Sequence, residues 1–201
     1  MKINLVIVLA ISLVFSGCSK ENELKKSVMV YDTEYTDLPA YSEWGYNTFG
    51  AYYDRVVFIW NNEKVPAKVI VENNDMSFNL DGQKGADYYY ENSNAMTITF
   101  KLTGFAPQGY ADLALLNDTI LDLTNPAYQV IVSFDTVKYT AKILSGELNF
   151  KRAQNLWVDN TQEEVILSGY FDFKALVNDN PVTVSNGRFD VGIGPDNFYN
   201  Y

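Results

Sequence analysis

The chain has 201 residues, with 15 Lys plus Arg against 25 Asp plus Glu and a formal net charge of −10. That length is enough for one domain with a buried core, and the acidic balance excludes phosphate-driven binding, so no nucleic acid partner is expected. Histidine is absent, which removes Ser-His-Asp and Cys-His catalysis, His-ligated zinc and His proton shuttling.

The first element is an address. Met1-Lys2 is followed by an apolar run of 13 positions, Ile3 to Phe15. A membrane-crossing helix needs about 20 apolar residues, so residues 1–17 read as a secretory signal peptide. Ser16-Gly17-Cys18 resembles the bacterial lipobox, in which a peptidase cuts before a cysteine whose sulfur carries diacylglycerol. Phe15 departs from the Leu usual at that position. Cys18 is the only cysteine, so no disulfide forms and Cys18 is the expected lipidation site. Several acyl chains on one residue hold a protein firmly to a membrane, where one chain holds it only marginally.

Residues 18–40 are expected to be the lipidated cysteine and a flexible tether. Ser19 to Lys26 is polar and lacks apolar periodicity. Glu21-Asn22-Glu23 resembles the short acidic surface-export tag of Bacteroidetes lipoproteins; a solvated linker without a sorting role is the alternative. The expected location is the outer membrane, with display on the cell surface.

Residues 41–201 are expected to form one antiparallel β domain. Tyr41, Trp44, Tyr46, Phe49, Tyr52 and Tyr53 open it as an aromatic cluster. Val56 to Trp60 is a continuous apolar run suited to a strand buried on both faces, and Lys68 to Val71 is a further candidate. Met76, Phe78 and Leu80 alternate with Ser77 and Asn79, which puts one side-chain set on each strand face. Tyr88-Tyr89-Tyr90 must point to both faces of a strand, so at least one ring lies outside the core. Met96 to Leu102 is the clearest alternation in the chain. Gly104 to Pro126 reads as an irregular excursion, with Asp112 to Leu116 its helix candidate. Tyr128 to Phe134 alternates again, and Lys138 to Leu144 is a candidate strand.

Two later segments share the form S-G-x-(L/F)-(N/D)-F: Ser145-Gly146-Glu147-Leu148-Asn149-Phe150 and Ser168-Gly169-Tyr170-Phe171-Asp172-Phe173. The polar stretch Lys151 to Glu164 between them, carrying Trp157, reads as a long projecting loop. The alternative is that Leu156-Trp157-Val158 is a short strand tucking Trp157 against the core. Asn61-Asn62, Asn73-Asn74-Asp75, Asp81-Gly82, Asp159-Asn160 and Asn178-Asp179-Asn180-Pro181 supply turn chemistry. Short alternating runs closed by such clusters define an all-β fold, a single antiparallel sandwich or barrel-like domain. Its expected core includes Phe58, Ile98, Phe100, Val130, Val132, Phe171 and Phe189.

The last third, residues 128 to 193, resembles a group of uncharacterised Bacteroidetes lipoproteins. The resemblance is carried by Ser168-Gly169-Tyr170-Phe171-Asp172-Phe173 and then Val182-Thr183-Val184-Ser185-Asn186-Gly187-Arg188-Phe189-Asp190. It implies a small antiparallel β domain in the envelope and no catalytic residue. Read as residues alone, Asn186-Gly187 is a left-handed turn or bulge between buried Val184 and Phe189.

The chemistry left open is narrow. Glu163, Glu164, Asp172 and Asp190 are the acids from which a two-carboxylate glycoside hydrolase would be built; the expectation is no enzyme. Asn178-Asp179-Asn180 and Asn73-Asn74-Asp75 carry oxygen ligands but not the spacing of a calcium loop, so no metal and no cofactor are expected. Aromatic side chains make up 15% of the chain, and Trp44, Trp157 and Tyr89 are the expected ligand-binding residues. The expected function is a surface-exposed, non-catalytic binding or accessory module for a glycan or a protein. A structural or assembly lipoprotein without a small ligand is the alternative.

Overall fold

The alternating stretches become strands in the computed structural model, which describes residues 26–85 and 94–201. The expectations for the signal peptide, for Cys18 and for Tyr88 to Tyr90 fall outside those residues. The strands are β1 (Thr48–Tyr53), β2 (Val56–Ile59), β3 (Ala67–Glu72), β4 (Asp75–Lys84), β5 (Asn94–Thr103), β6 (Thr119–Asp122), β7 (Tyr128–Phe134), β8 (Val137–Val158), β9 (Thr161–Val177), β10 (Asn180–Ile193) and β11 (Phe198–Asn200). The excursion between β5 and β7 holds a 3-10 helix, Tyr110–Leu116, and then β6.

Short polar residues make the corners. Asp54-Arg55, Asn73-Asn74, Asp159-Asn160 and Asn178-Asp179 each place two successive residues at positive φ. That geometry matches the right-handed twist of paired strands. Asn and Asp tolerate it better than other side-chain-bearing residues.

The result is a barrel. Apart from β6, successive strands from β1 to β10 pair with each other, except that β2 and β3 both pair with β4 in place of each other, β3 continuing the course of β2 along one edge of β4. β10 then pairs antiparallel with β1, and β4 with both β2 and β5, so the meander closes on itself. Closure removes the free edges that an open sheet leaves to other chains. β11 pairs parallel with β3 at the margin. The Asn197 amide donates to Ala67 O at 3.0 Å and Gly192 O at 2.9 Å, which ties β3 to β10 there. Bulges within β8, β9 and β10 bend the long strands around the barrel.

Rings fill the interior. All seven expected core residues are buried, together with Phe49, Phe78, Phe150 and Phe173. Phe78 meets Phe189 at 5.2 Å and Phe100 meets Phe171 at 5.2 Å, both edge to face. These contacts run from β4 and β5 across to β9 and β10, so the lumen is packed core. The run Val56 to Trp60 is buried only in part: Phe58 is inside and Ile59 is buried on the outer face near Pro39, while Val56 is exposed. β2 lies against only two residues of β4, which leaves its first residue open to solvent.

The outward side chains of β9 and β10 are also covered. Their inward set is Val165, Leu167 and Phe171 with Phe189, Val191 and Ile193, so Ile166, Ser168, Arg188 and Asp190 face out. Residues 26–47 lie across them as a strap. Of the stretch expected as a tether, 18–40, the described part packs here: Leu38 is fully buried. Asp32 pairs with Arg188 at 2.7 Å, and Arg188 sits over the Tyr35 ring.

Candidate functional site

Asp190 organises the most polar part of this covered face. Its carboxylate accepts from the backbone N–H of Gly45 at 2.9 Å, Tyr46 at 3.0 Å and Trp44 at 3.2 Å. The hydroxyls of Ser42 and of Ser168, the latter at 2.7 Å, donate to it as well. Asp190 is 1% exposed. A buried carboxylate with five donors is fully satisfied. Its lone pairs serve the strap, so it is a structural anchor with no capacity left for a substrate.

The anchor has a consequence for Trp44. Gly45 takes φ +73°, and a Cβ there would stand 3.2 Å from Ile166 Cγ1. The chain therefore bends over β9 with its backbone against the barrel. Trp44 projects from that bend with 75% of its surface exposed, and Tyr46 is exposed beside it.

Trp157 sits in a different frame. The segment Lys151 to Glu164 is no loop. β8 and β9 stay paired to Val158↔Thr161 and turn at Asp159-Asn160, with Trp157 opposite Gln162. The polarity that suggests a loop reflects a hairpin solvated on both sides. Pairing with β10 stops at Val165, so β9 reaches four residues further, about 13 Å. This arm is braced by Gln162 Nε2 donating to Asn155 Oδ1 at 3.0 Å, and by Tyr110 OH donating to Gln162 O at 2.9 Å. Trp157 remains 59% exposed near its tip.

No ring contact joins Trp44 and Trp157, so the structure does not bring these two expected residues into one aromatic cluster; Tyr89 lies outside the described residues. Tyr41, which sequence reasoning left within a general aromatic cluster, stacks on Tyr170 at 4.2 Å and donates to Glu43 at 2.9 Å. Burial, and then the Glu43 carboxylate, hold its hydroxyl well above the usual tyrosine value. Burial also pushes Tyr53 up to about 12.

The four candidate acids occupy three separate places. Asp190 is the strap anchor. Asp172 lies outside the barrel opposite Glu147 on β8, in a groove of about 460 Å³ shared with Asp122. Glu163 and Glu164 line a cleft of about 300 Å³ with Lys64, Val65 and Asn197. Glu163 is the extra residue of a bulge, lying between the pairs Leu156↔Glu164 and Trp157↔Gln162, so strand alternation does not separate the two side chains. Among the described residues no group of three or more His, Cys, Asp or Glu is arranged to hold a metal ion. Asn73-Asn74 and Asn178-Asp179 are turn centres.

Asp190 as an anchor was not legible as such. It ends the Asn186-Gly187-Arg188-Phe189-Asp190 run, but its four strap partners lie 144 to 148 residues away and Ser168 lies 22 away, and no local pattern announces them. No protein-family model matches the chain, and no curated protein or solved structure is significantly similar to it.

Proposed function

We propose that the protein is a lipid-anchored envelope lipoprotein of the outer membrane, displayed at the surface, and that it works by contact rather than catalysis. Its partner is a glycan or a protein. The observation that carries this reading is the β8–β9 arm. A braced hairpin holds a large aromatic side chain in solvent, and Trp is the residue type most enriched among binding anchors. The arm spends little ordering entropy on binding, because its backbone is already paired. The packed lumen supports the same reading, since it directs contact to the outside of the barrel. A structural role by strand addition would act at the described margins, which are the short strands β6 and β11 and the outer edges of the arm itself, β8 beyond Phe150 and β9 before Val165.

The test is Trp157→Ala in the full chain. An exposed side chain away from the core shifts stability by no more than about 0.5 kcal/mol. Unchanged thermal unfolding with loss of binding to an immobilised glycan panel, or to the isolated partner, supports the reading. A stability loss of about 3 to 5 kcal/mol, typical of a buried Trp, makes Trp157 structural and ends it.

A further inference from the structure

Another exposed aromatic group lies beside the first described residues, those nearest Cys18 in sequence. Lys26 O accepts from the Asn47 amide at 3.4 Å, and Val28 N donates to Tyr46 O at 2.7 Å. The first described residues therefore run beside residues 44–47. Exposure alternates along both segments. Lys26, Val28 and Val30 are open on one, Trp44 and Tyr46 on the other, while Ser27, Met29 and Gly45 turn toward the protein. The outward result is one aliphatic and aromatic patch bordered by a lysine.

From this arrangement we infer that the Val28, Val30, Trp44 and Tyr46 patch docks on the headgroup surface of a lipid bilayer, holding the barrel in a fixed orientation on its membrane. The inference rests on the lipid anchor at Cys18. Lys26 is eight residue steps from Cys18, and an extended chain spans at most about 3.6 Å per step, roughly 29 Å here. The patch at the exit is thus the part of the barrel that the anchor holds nearest to lipid. Its chemistry suits that position. Trp and Tyr concentrate at membrane interfaces, where an apolar ring meets hydrocarbon and a polar edge meets water. Valines add apolar area. The exit stretch Ser19 to Lys26 holds three lysines against two glutamates, so it is not acidic, although the chain as a whole is. The backbone under Trp44 is pinned by Asp190, so the ring is presented in one place and little entropy is lost on docking.

The experiment uses the full chain purified from membranes, its acylation at Cys18 read from intact mass, and reconstituted in phosphatidylethanolamine–phosphatidylglycerol vesicles. Half of the preparations carry brominated acyl chains, which quench nearby indoles. The expected result is partial quenching, up to one indole's share of the three tryptophans. It disappears in Trp44→Phe and persists in Trp157→Phe. Both sites are exposed, so neither variant disturbs the core. An acylated chain whose emission is untouched by brominated lipid overturns the docking while the anchor stands. Quenching that survives Trp44→Phe also overturns it. A soluble saccharide that shifts Trp44 emission where brominated lipid does not reassigns the patch to a glycan. An unacylated mass overturns the anchor and the docking together.

Discussion

Asp190 shows how one residue fixes a surface feature at a distance from its own strand. Its carboxylate has no paired cation; five hydrogen-bond donors from the strap and β9 take that place. Asp190→Asn keeps the shape and removes the charge. It also puts an NH2 group where an acceptor stood, so that at least one N–H or hydroxyl faces another donor. Leaving a buried donor of this kind unpaired costs about 2–4 kcal/mol. The expected outcome is a loss of that size in denaturant unfolding. Faster amide exchange at Trp44, Gly45 and Tyr46 should accompany it, while the β9 amides of Val165 and Leu167 stay protected. Uniform acceleration across the barrel would show that Asp190 supports the core instead of the strap.

At the scale of the strand, the S-G-x-F-x-F pattern has a packing cause. A Cβ on Gly169 would stand 2.0 Å from Asn149 O and 2.8 Å from the Phe189 ring. A Cβ on Gly187 would stand 2.5 Å from Phe171 O and 2.6 Å from the Phe171 ring. The glycines are the spaces into which phenylalanine rings fold, and they let neighbouring strands close up in a narrow barrel. Gly169→Ala is expected to destabilise by about 1–3 kcal/mol or more, as overpacking does. Gly109→Ala is the control, since nothing lies within 4 Å of its Cβ position; it should be neutral. Equal melting temperatures for the two variants would refute the packing account. The same strands show what a single sequence reveals. Period-two alternation placed Ile98, Phe100, Val130 and Val132 inside, because burial on one face leaves that signature locally. The Asn and Asp pairs marked three of the positive-φ turns for a similar reason. Barrel closure was not legible, because pairing of β1 with β10 joins residues more than 130 positions apart. The arm was misread as a loop because a hairpin with two wet faces has no alternation to read. The strap was not legible because scattered contacts hold it, among them Asp32 with Arg188, the buried Leu38 and isolated backbone hydrogen bonds, and those follow no period.

For the whole molecule, the absence of histidine sets the shape of the stability profile. No side-chain type present in the chain has an ordinary value between about pH 5 and 8. Stability is therefore expected to be flat across that range and to fall at both ends. On the acid side, the backbone N–H groups of Tyr35 and Glu34, and then Arg188, hold Asp32 below its usual 3.8. Hydrogen bonding from Lys101 lowers Asp75 in the same way, and Thr124 lowers Asp122. A depressed carboxylate contributes stability that is present above the unfolded value and is lost as pH falls through the folded one. The acid limb should thus begin near pH 4. On the alkaline side the sign reverses. Burial, with Asp54 nearby, raises Tyr53 from 10.0 to about 12, so the folded chain keeps a proton that the unfolded chain has given up. That contribution is complete below pH 10 and is lost as pH climbs from 10 toward 12. Tyr41 acts in the same direction. Tyr52 and Tyr170 are raised too, by burial first, so absorbance at the tyrosinate band during alkaline titration should show a group of late tyrosines, Tyr41 and Tyr53 among them, that ionise together with unfolding. In Tyr53→Phe the slope of stability against pH between 10 and 12 should be shallower than in the parent. A slope unchanged by that substitution would mean that Tyr53 ionises freely in the folded barrel, and a sloping profile between pH 6 and 8 would contradict the flat range.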